Sequence, residues 1–186
     1  MHLSRKNRGF TIVELLIVIV VIAILAAVTT SAYNGIQTRA INTKTLNAVS
    51  NWDKILKMYK VIKGTAPISD YNCLATASAN FPAGSGLGAG ECQHGYPSTP
   101  SFSAIYSNAL TTDLQSVIGT TVTLPSGYLT PYSGSIGGAT IYVQGLRYNN
   151  LAIEYYLKGG AADCGKGTFA YGTTSDTMTM CTLDVN

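Results

Sequence analysis

RGFTIVELLIVIVVIAILAAV, residues 8–28, decides how the chain is to be read. Leu15 to Val28 is uninterrupted apolar sequence, and the run extends back to Phe10 with only Thr11 and Glu14 inside it. At about 1.5 Å per residue, a helix over Phe10–Val28 would match the hydrocarbon thickness of a bilayer. Glu14 is the only charged residue between Arg8 and Arg39. A carboxylate inside such a run opposes insertion, so its presence needs a reason. Arg5, Lys6 and Arg8 precede the run, which predicts a cytoplasmic N-terminus with the rest of the chain facing outward.

The remainder has a different character. A chain of 186 residues suits one domain plus an appendage. Charged residues make up 11%, against about 25% in ordinary soluble domains; Thr, Ser, Gly, Asn and Tyr supply the polarity. Of 12 basic residues, Arg5, Lys6 and Arg8 lie before Gly9, so 9 remain against 9 acidic ones and the +3 net charge disappears. No general footprint for nucleic acid is left, only the local set Lys54, Lys57, Lys60, Lys63, Arg147 and Lys158. The four cysteines, Cys73, Cys92, Cys164 and Cys181, behind an export-like N-terminus favour disulfides. Three connectivities are open; loop entropy and the hairpin-like layout favour Cys73–Cys92 with Cys164–Cys181. A zinc site is the weaker reading, with no C-x-x-C spacing and His94 alone beyond the first residues.

After the apolar run the pattern becomes one-sided. Ile41, Ala48, Trp52, Ile55, Tyr59 and Ile62 recur at helical spacing, flanked by Val49 and Leu56, while Lys54, Lys57 and Lys60 fall on the opposite arc. This predicts an amphipathic continuation of the same helix, stopped by Gly64 and Pro67. Thr29, Thr30, Ser31 and Gly35 are weak helix formers that could loosen its middle. Residues 65–118 read mostly as loop, with a short helix or two around 103–118. From Gly119 onward TTVTL (120–124), ATIYVQG (139–145), LAIEYYL (151–157), TFAYG (168–172) and TMTMCTL (177–183) read as strands of an antiparallel sheet. Ile141, Val143, Leu151, Ile153, Tyr155, Met178 and Met180 are its expected core positions. The fold class is therefore α+β, a long N-terminal helix on an antiparallel sheet. Its expected parts are residues 1–9, an apolar helical segment 10–35, an amphipathic half 36–64 and a globular domain 65–186.

Few residues invite chemistry. GSGLGAG (84–90) lacks the spacing of a dinucleotide loop and opens no helix. Any nucleophile triad would have to use His94, in a turn-rich segment, and Glu91 with Asp70 carries no mark of an acid/base pair. Asp163 and Asp176 flank the Cys164 loop, but calcium wants more oxygen ligands than are clustered there. The reading is of a structural chain and not an enzyme, with no cofactor and no metal called for. A secretory signal peptide cut near Ala32 would explain the basic start, but not Glu14 or the resumption of helical patterning.

Taken together, a short basic leader ending in Gly9, then Phe10 and Thr11, Glu14 as the fifth residue after the glycine, and a long aliphatic helix resemble the N-terminus of type IV prepilins and their pseudopilin relatives. The resemblance is specific over roughly residues 4–35 and architectural beyond. It implies cleavage after Gly9 by a membrane aspartyl prepilin peptidase, N-methylation of Phe10, and storage in the cytoplasmic membrane. Polymerisation of identical subunits into an extracellular filament would follow, driven by inner-membrane assembly machinery and its ATPase. Relatives often carry proline where Ser31 stands here. Phe10 and Glu14 are then the expected assembly residues, the Glu14 carboxylate neutralising the Phe10 amine of an adjoining subunit. Adhesion, motility, surface interaction and DNA uptake stay open as the filament's task, with a host surface or DNA as its target. A pseudopilin of a type II secretion system and a membrane-tethered binding domain that never polymerises are the alternatives.

Overall fold

The structure is a computed structural model that describes residues 9–67, 71–74, 88–94, 102–105, 108–119, 130–132, 135–137, 140–143, 151–172 and 178–185. Internal contacts divide the chain into two units, Met1–Arg39 and Ala40–Asn186. Helix α1 spans Ile12–Lys63 without a break, so Thr29, Thr30 and Gly35 do not interrupt it. Gly64 ends it with φ +73 and donates its N–H to Lys60 O at 2.8 Å. That is the left-handed C-terminal cap that glycine adopts at no steric cost.

In the first unit α1 is exposed on every described side. In the second, one stripe is buried: Thr45, Ala48, Val49, Trp52, Asp53, Ile55, Leu56 and Tyr59. Their spacing of three and four residues keeps one face against the sheet. Ile62, expected on this face, is 57% exposed. The buried stripe ends at Tyr59, whose hydroxyl donates to Asp113 Oδ2 on α2 (Asn108–Ile118). The buried Asp53 is the other departure from the expected pattern. Lys57 Nζ lies 3.0 Å from its Oδ1 and 3.1 Å from Oδ2, and only the second contact is a well-directed hydrogen bond.

The strands are β1 (Asn72–Cys73), β2 (Glu91–His94), β3 (Phe102–Ile105), β4 (Thr130–Tyr132), β5 (Ser135–Gly137), β6 (Thr140–Val143), β7 (Leu151–Lys158), β8 (Thr168–Tyr171) and β9 (Met178–Val185). They form one sheet in the order β4-β5-β2-β3-β1-β6-β7-β9-β8. The region around β6, β7, β9 and β8 is antiparallel. Elsewhere single-residue parallel pairs join Asn72 to Ile105 and Gln93 to Gly137. Two expectations change here. Residues 65–118 carry β1, β2 and β3, not loop alone, with Phe102–Ile105 a strand where a helix was expected. In β7, Leu151 to Leu157 are all buried, so both of its faces are covered. TTVTL (120–124) lies outside the described residues.

Register explains the double burial. Tyr155 pairs with Cys181 and Tyr156 with Met180, and directly paired residues share a face. Odd positions of β7 and β9 (Leu151, Ile153, Tyr155, Leu157, Cys181, Val185) join Val49, Trp52, Leu56, Tyr59, Leu110 and Leu114 in the main core. Even positions form a second cluster, Tyr156, Met178 and Met180 with Ala170. Met178 and Met180 thus belong to the opposite face from Ile153 and Tyr155. For Ile141 and Val143 the backbone register is described, opposite Ile153 and Leu151. The backbone of β4 approaches β7 although five strands separate them in the sheet order. The sheet therefore curves back toward β7. Glu154, at an even position of β7, is buried and accepts a 2.6 Å hydrogen bond from the Tyr156 hydroxyl. Each fully buried aliphatic such as Leu56, Ile153 or Leu157 contributes about 1.5–3 kcal/mol.

A clamp fixes where α1 meets the sheet. Asn42 Nδ2 donates to Lys158 O at 2.9 Å, and Lys158 N donates to Asn42 Oδ1 at 2.8 Å. The side-chain amide substitutes for a strand partner at the end of β7. Deeper in, the Tyr155 hydroxyl donates to Cys164 O at 2.5 Å, and Gly167 lies directly over it. A Cβ built on Gly167 would stand 2.2 Å from Tyr155 Oη and 3.0 Å from Thr182 O.

Two predictions follow from these contacts. Gly167→Ala should destabilise by about 1–3 kcal/mol through overpacking, read as a lower denaturant midpoint. The second concerns alkaline pH. The hydrogen bond to Asp113, with burial, pushes the Tyr59 hydroxyl up to about 12. Burial, opposed by a backbone hydrogen bond from Gly167 and aided by the Asp163 charge, pushes Tyr155 up to about 12 as well. The fold favours the neutral phenols, so this stability is whole below the ordinary value of 10.0 and lost as pH rises through about 12. Melting temperature against pH should fall across that window, and less steeply in Tyr59→Phe.

Candidate functional site

The local structure around Glu14 answers the question its position raises. Gly9, Phe10 and Thr11 are non-helical and Ile12 is the first helical residue, which makes Thr11 the N-cap and Glu14 the third helical position. Thr11 N donates to Glu14 Oε2 at 2.8 Å, and the Thr11 hydroxyl donates to the same oxygen at 2.8 Å. In return Glu14 N donates to Thr11 Oγ1 at 3.2 Å. This is a reciprocal capping box, and it satisfies backbone donors that the first turn of a helix otherwise leaves open. The negative carboxylate also sits at the positive end of the helix dipole. Thr-x-x-Glu before an apolar run is visible in the sequence, and the capping role of Thr11 is the feature that the reading of Glu14 as an assembly residue alone passes over.

Behind the box the helix is apolar and bare. Phe10 is 81% exposed and Ile12 84%, and the most covered large aliphatics of the run, Val20 and Val21, are still 48% exposed. The helix is long and apolar enough to cross a membrane, with a mean hydropathy of 3.1 over its most apolar window. Thr29 and Thr30 do not spoil it. Thr29 Oγ1 donates to Leu25 O at 2.9 Å and Ala26 O at 3.0 Å, and Thr30 Oγ1 to Ala26 O at 3.2 Å and Ala27 O at 3.0 Å. Each hydroxyl is satisfied by its own helix, so neither needs water.

In the second unit the four cysteines form two disulfides. Cys73–Cys92 joins β1 to β2, and Cys164–Cys181 joins the turn region after β7 to β9. Both Cα separations are 5.8 Å and all four side chains are buried. A cavity of about 210 Å³ opens between the second disulfide and α1, lined by Leu46, Val49, Ser50, Tyr155, Lys166 and Leu183 among others. Its polar lining groups include Ser50, Tyr155 and Lys166, and the Tyr155 hydroxyl is already bonded to Cys164 O.

The remaining candidate residues take ordinary places. Glu91 Oε2 accepts from Gly88 N at 2.8 Å, closing the turn before β2. Asp163 Oδ1 accepts from Gly165 N at 2.9 Å. Asp70, Asp176 and most of GSGLGAG lie outside the described residues, and His94 is described as part of β2 by its backbone alone. Among the described residues no three His, Cys, Asp or Glu side chains meet as metal ligands would. The lysine arc is partly used internally: Lys57 pairs with Asp53, and Lys60 Nζ donates to Val185 O at 3.3 Å. Arg147 lies outside the described residues.

Residues 4–30 match the prokaryotic N-terminal methylation motif. Comparison with curated proteins and with solved structures gives no match. The chain thus carries a type IV prepilin-like signal, and the motif supports a type IV pilin-like or pseudopilin protein, a structural and not enzymatic class. The motif implies processing by prepilin peptidase and assembly into a pilus-like polymer, and with the apolar helix it fits membrane insertion.

Replacing Cys164 and Cys181 together by serine should lower stability by about 2–4 kcal/mol, measured by denaturant unfolding of the chain with Cys73–Cys92 intact.

Proposed function

We propose that this chain is a structural subunit of a type IV pilus. Prepilin peptidase cuts it after Gly9 and methylates the new amine of Phe10. The subunit waits in the cytoplasmic membrane and is then polymerised through residues 10–35 into an extracellular filament by the inner-membrane machinery and its ATPase. One observation carries the reading. A helical surface of aliphatic side chains, from Ile12 to Val28 and within the methylation motif, stands exposed. A bare apolar surface of that extent needs lipid or protein around it. In this reading lipid covers it first and copies of the same helix afterwards.

Glu14 has a second role in this scheme. In a packed helical core an isolated carboxylate is costly, whereas one facing a cationic terminal amine is tolerated. The Glu14 carboxylate faces the Phe10 amine of an adjoining subunit and fixes the axial register. Residues 36–64 and the globular domain 65–186 then form the outer layer, with Cys73–Cys92 and Cys164–Cys181 as its covalent ties.

N-terminal mass analysis of the exported protein should find N-methylated Phe10 as the first residue; an intact leader, or a start near Tyr33, would reject the reading. Glu14→Leu should lower filament yield at least about tenfold with subunit levels unchanged, in line with removing one partner of a buried charge pair. Long surface fibres by electron microscopy separate a pilus from the short periplasmic polymer of a pseudopilin.

A further inference from the structure

We propose that the cavity beside the Cys164–Cys181 disulfide is a binding site for a small organic monocarboxylate, one aromatic ring or its aliphatic equivalent carrying a single carboxylate. The inference is independent of filament assembly, because every lining residue belongs to the unit Ala40–Asn186. Val49, Tyr155 and Cys164 are the buried part of the lining, and Leu46, Ser50 and Leu183 are half-buried. The volume is about 210 Å³. An aliphatic cavity of about 150 Å³ takes up benzene, so this one has room for a ring and a substituent.

The walls are held in place without a ligand. Cys164 is tied to Cys181 on β9, and its carbonyl accepts from the Tyr155 hydroxyl at 2.5 Å. Gly165 N donates to Asp163 Oδ1 at 2.9 Å, and Gly165 comes so near α1 that a Cβ on it would stand 3.3 Å from Leu46 Cδ2. A site built in advance loses little freedom when it is filled.

The polar lining selects the ligand's charge. Lys166 is the one charged residue in it, and no carboxylate lines the cavity. Among the described residues Lys166 has no ion-pair partner. Asp163, whose charge reaches the Tyr155 hydroxyl, is itself held by Gly165 N, and Asp53 is paired with Lys57. With the Tyr155 hydroxyl committed to Cys164 O, an anionic end has Lys166 and the Ser50 hydroxyl to meet. Lys166 is exposed, so it sets the preferred sign of charge while apolar contact supplies most of the affinity.

Benzoate is the probe, with benzyl alcohol and benzylammonium as its neutral and cationic counterparts, added to the full-length protein in detergent micelles. Methyl resonances of Leu46, Val49 and Leu183 report the cavity, and those of Ile12–Val28 report partition into the micelle. Benzoate should shift the first set saturably, and benzylammonium should not. Lys166→Gln should weaken benzoate about two- to fivefold, the size of an exposed charged contact, and leave benzyl alcohol unchanged. Ser50→Leu, which fills the cavity from α1, should abolish binding of both; if it does not fold, Ser50→Val serves with the same criterion. The proposal is overturned if benzoate gives no saturable shift, or if benzylammonium binds as well as benzoate. Benzoate affinity that is undiminished in Lys166→Gln, or in the cavity-filling variant, overturns it too.

Discussion

The second unit depends on one packing relation, the burial of Trp52, Leu56 and Tyr59 against the odd positions of β7 and β9. Those strands pair along eight positions, Leu151↔Val185 to Lys158↔Met178, so a shift of one residue would turn every core side chain to the other face. The Asn42 clamp on Lys158, the Tyr155 bond to Cys164 and the Cys164–Cys181 disulfide all pin that same register. The main core, the second disulfide and the placement of α1 on the sheet are in this sense one constraint.

One unbroken helix is read against two environments. Over Ile12–Val28 it has no polar face, and its rare hydroxyls at Thr29 and Thr30 bond to the helix itself. From Thr45 to Tyr59 it has a buried stripe, and it holds even a charge there, Asp53 against Lys57. The change of pattern is carried by the side chains, because the backbone geometry is α-helical throughout. Glu14, at the far end, is the one charge that the first segment keeps, and the capping box accounts for it within a single chain.

Legibility in the sequence followed the strength of the local signal. α1 announced itself through length and periodicity, and Gly64 marked its end. β6 to β9 stood out through β-branched and aromatic alternation. β1 to β5 span two to four residues each and lack the β-branched and aromatic runs of β6 to β9, so their pairing is decided by partners far along the chain. Asp53 and Glu154 could not be found by any hydrophobic pattern, because a carboxylate is buried only when a specific neighbour such as Lys57 or Tyr156 receives it. The split of Met178 and Met180 from Ile153 and Tyr155 was hidden for another reason: alternation within each strand is visible, but the parity between strands is set by register. Thr-x-x-Glu was in plain view; its meaning lay in hydrogen bonds that a search for membrane cost does not consider.

The order of the strands has a temporal side. β9 is the last described strand in the chain, yet it lies inside the sheet, between β7 and β8, and supplies one sulfur of the second disulfide. β8 has no described neighbour other than β9. The main core cannot close before residues 178–185 are in place, whereas the first disulfide, between Cys73 and Cys92, requires none of them.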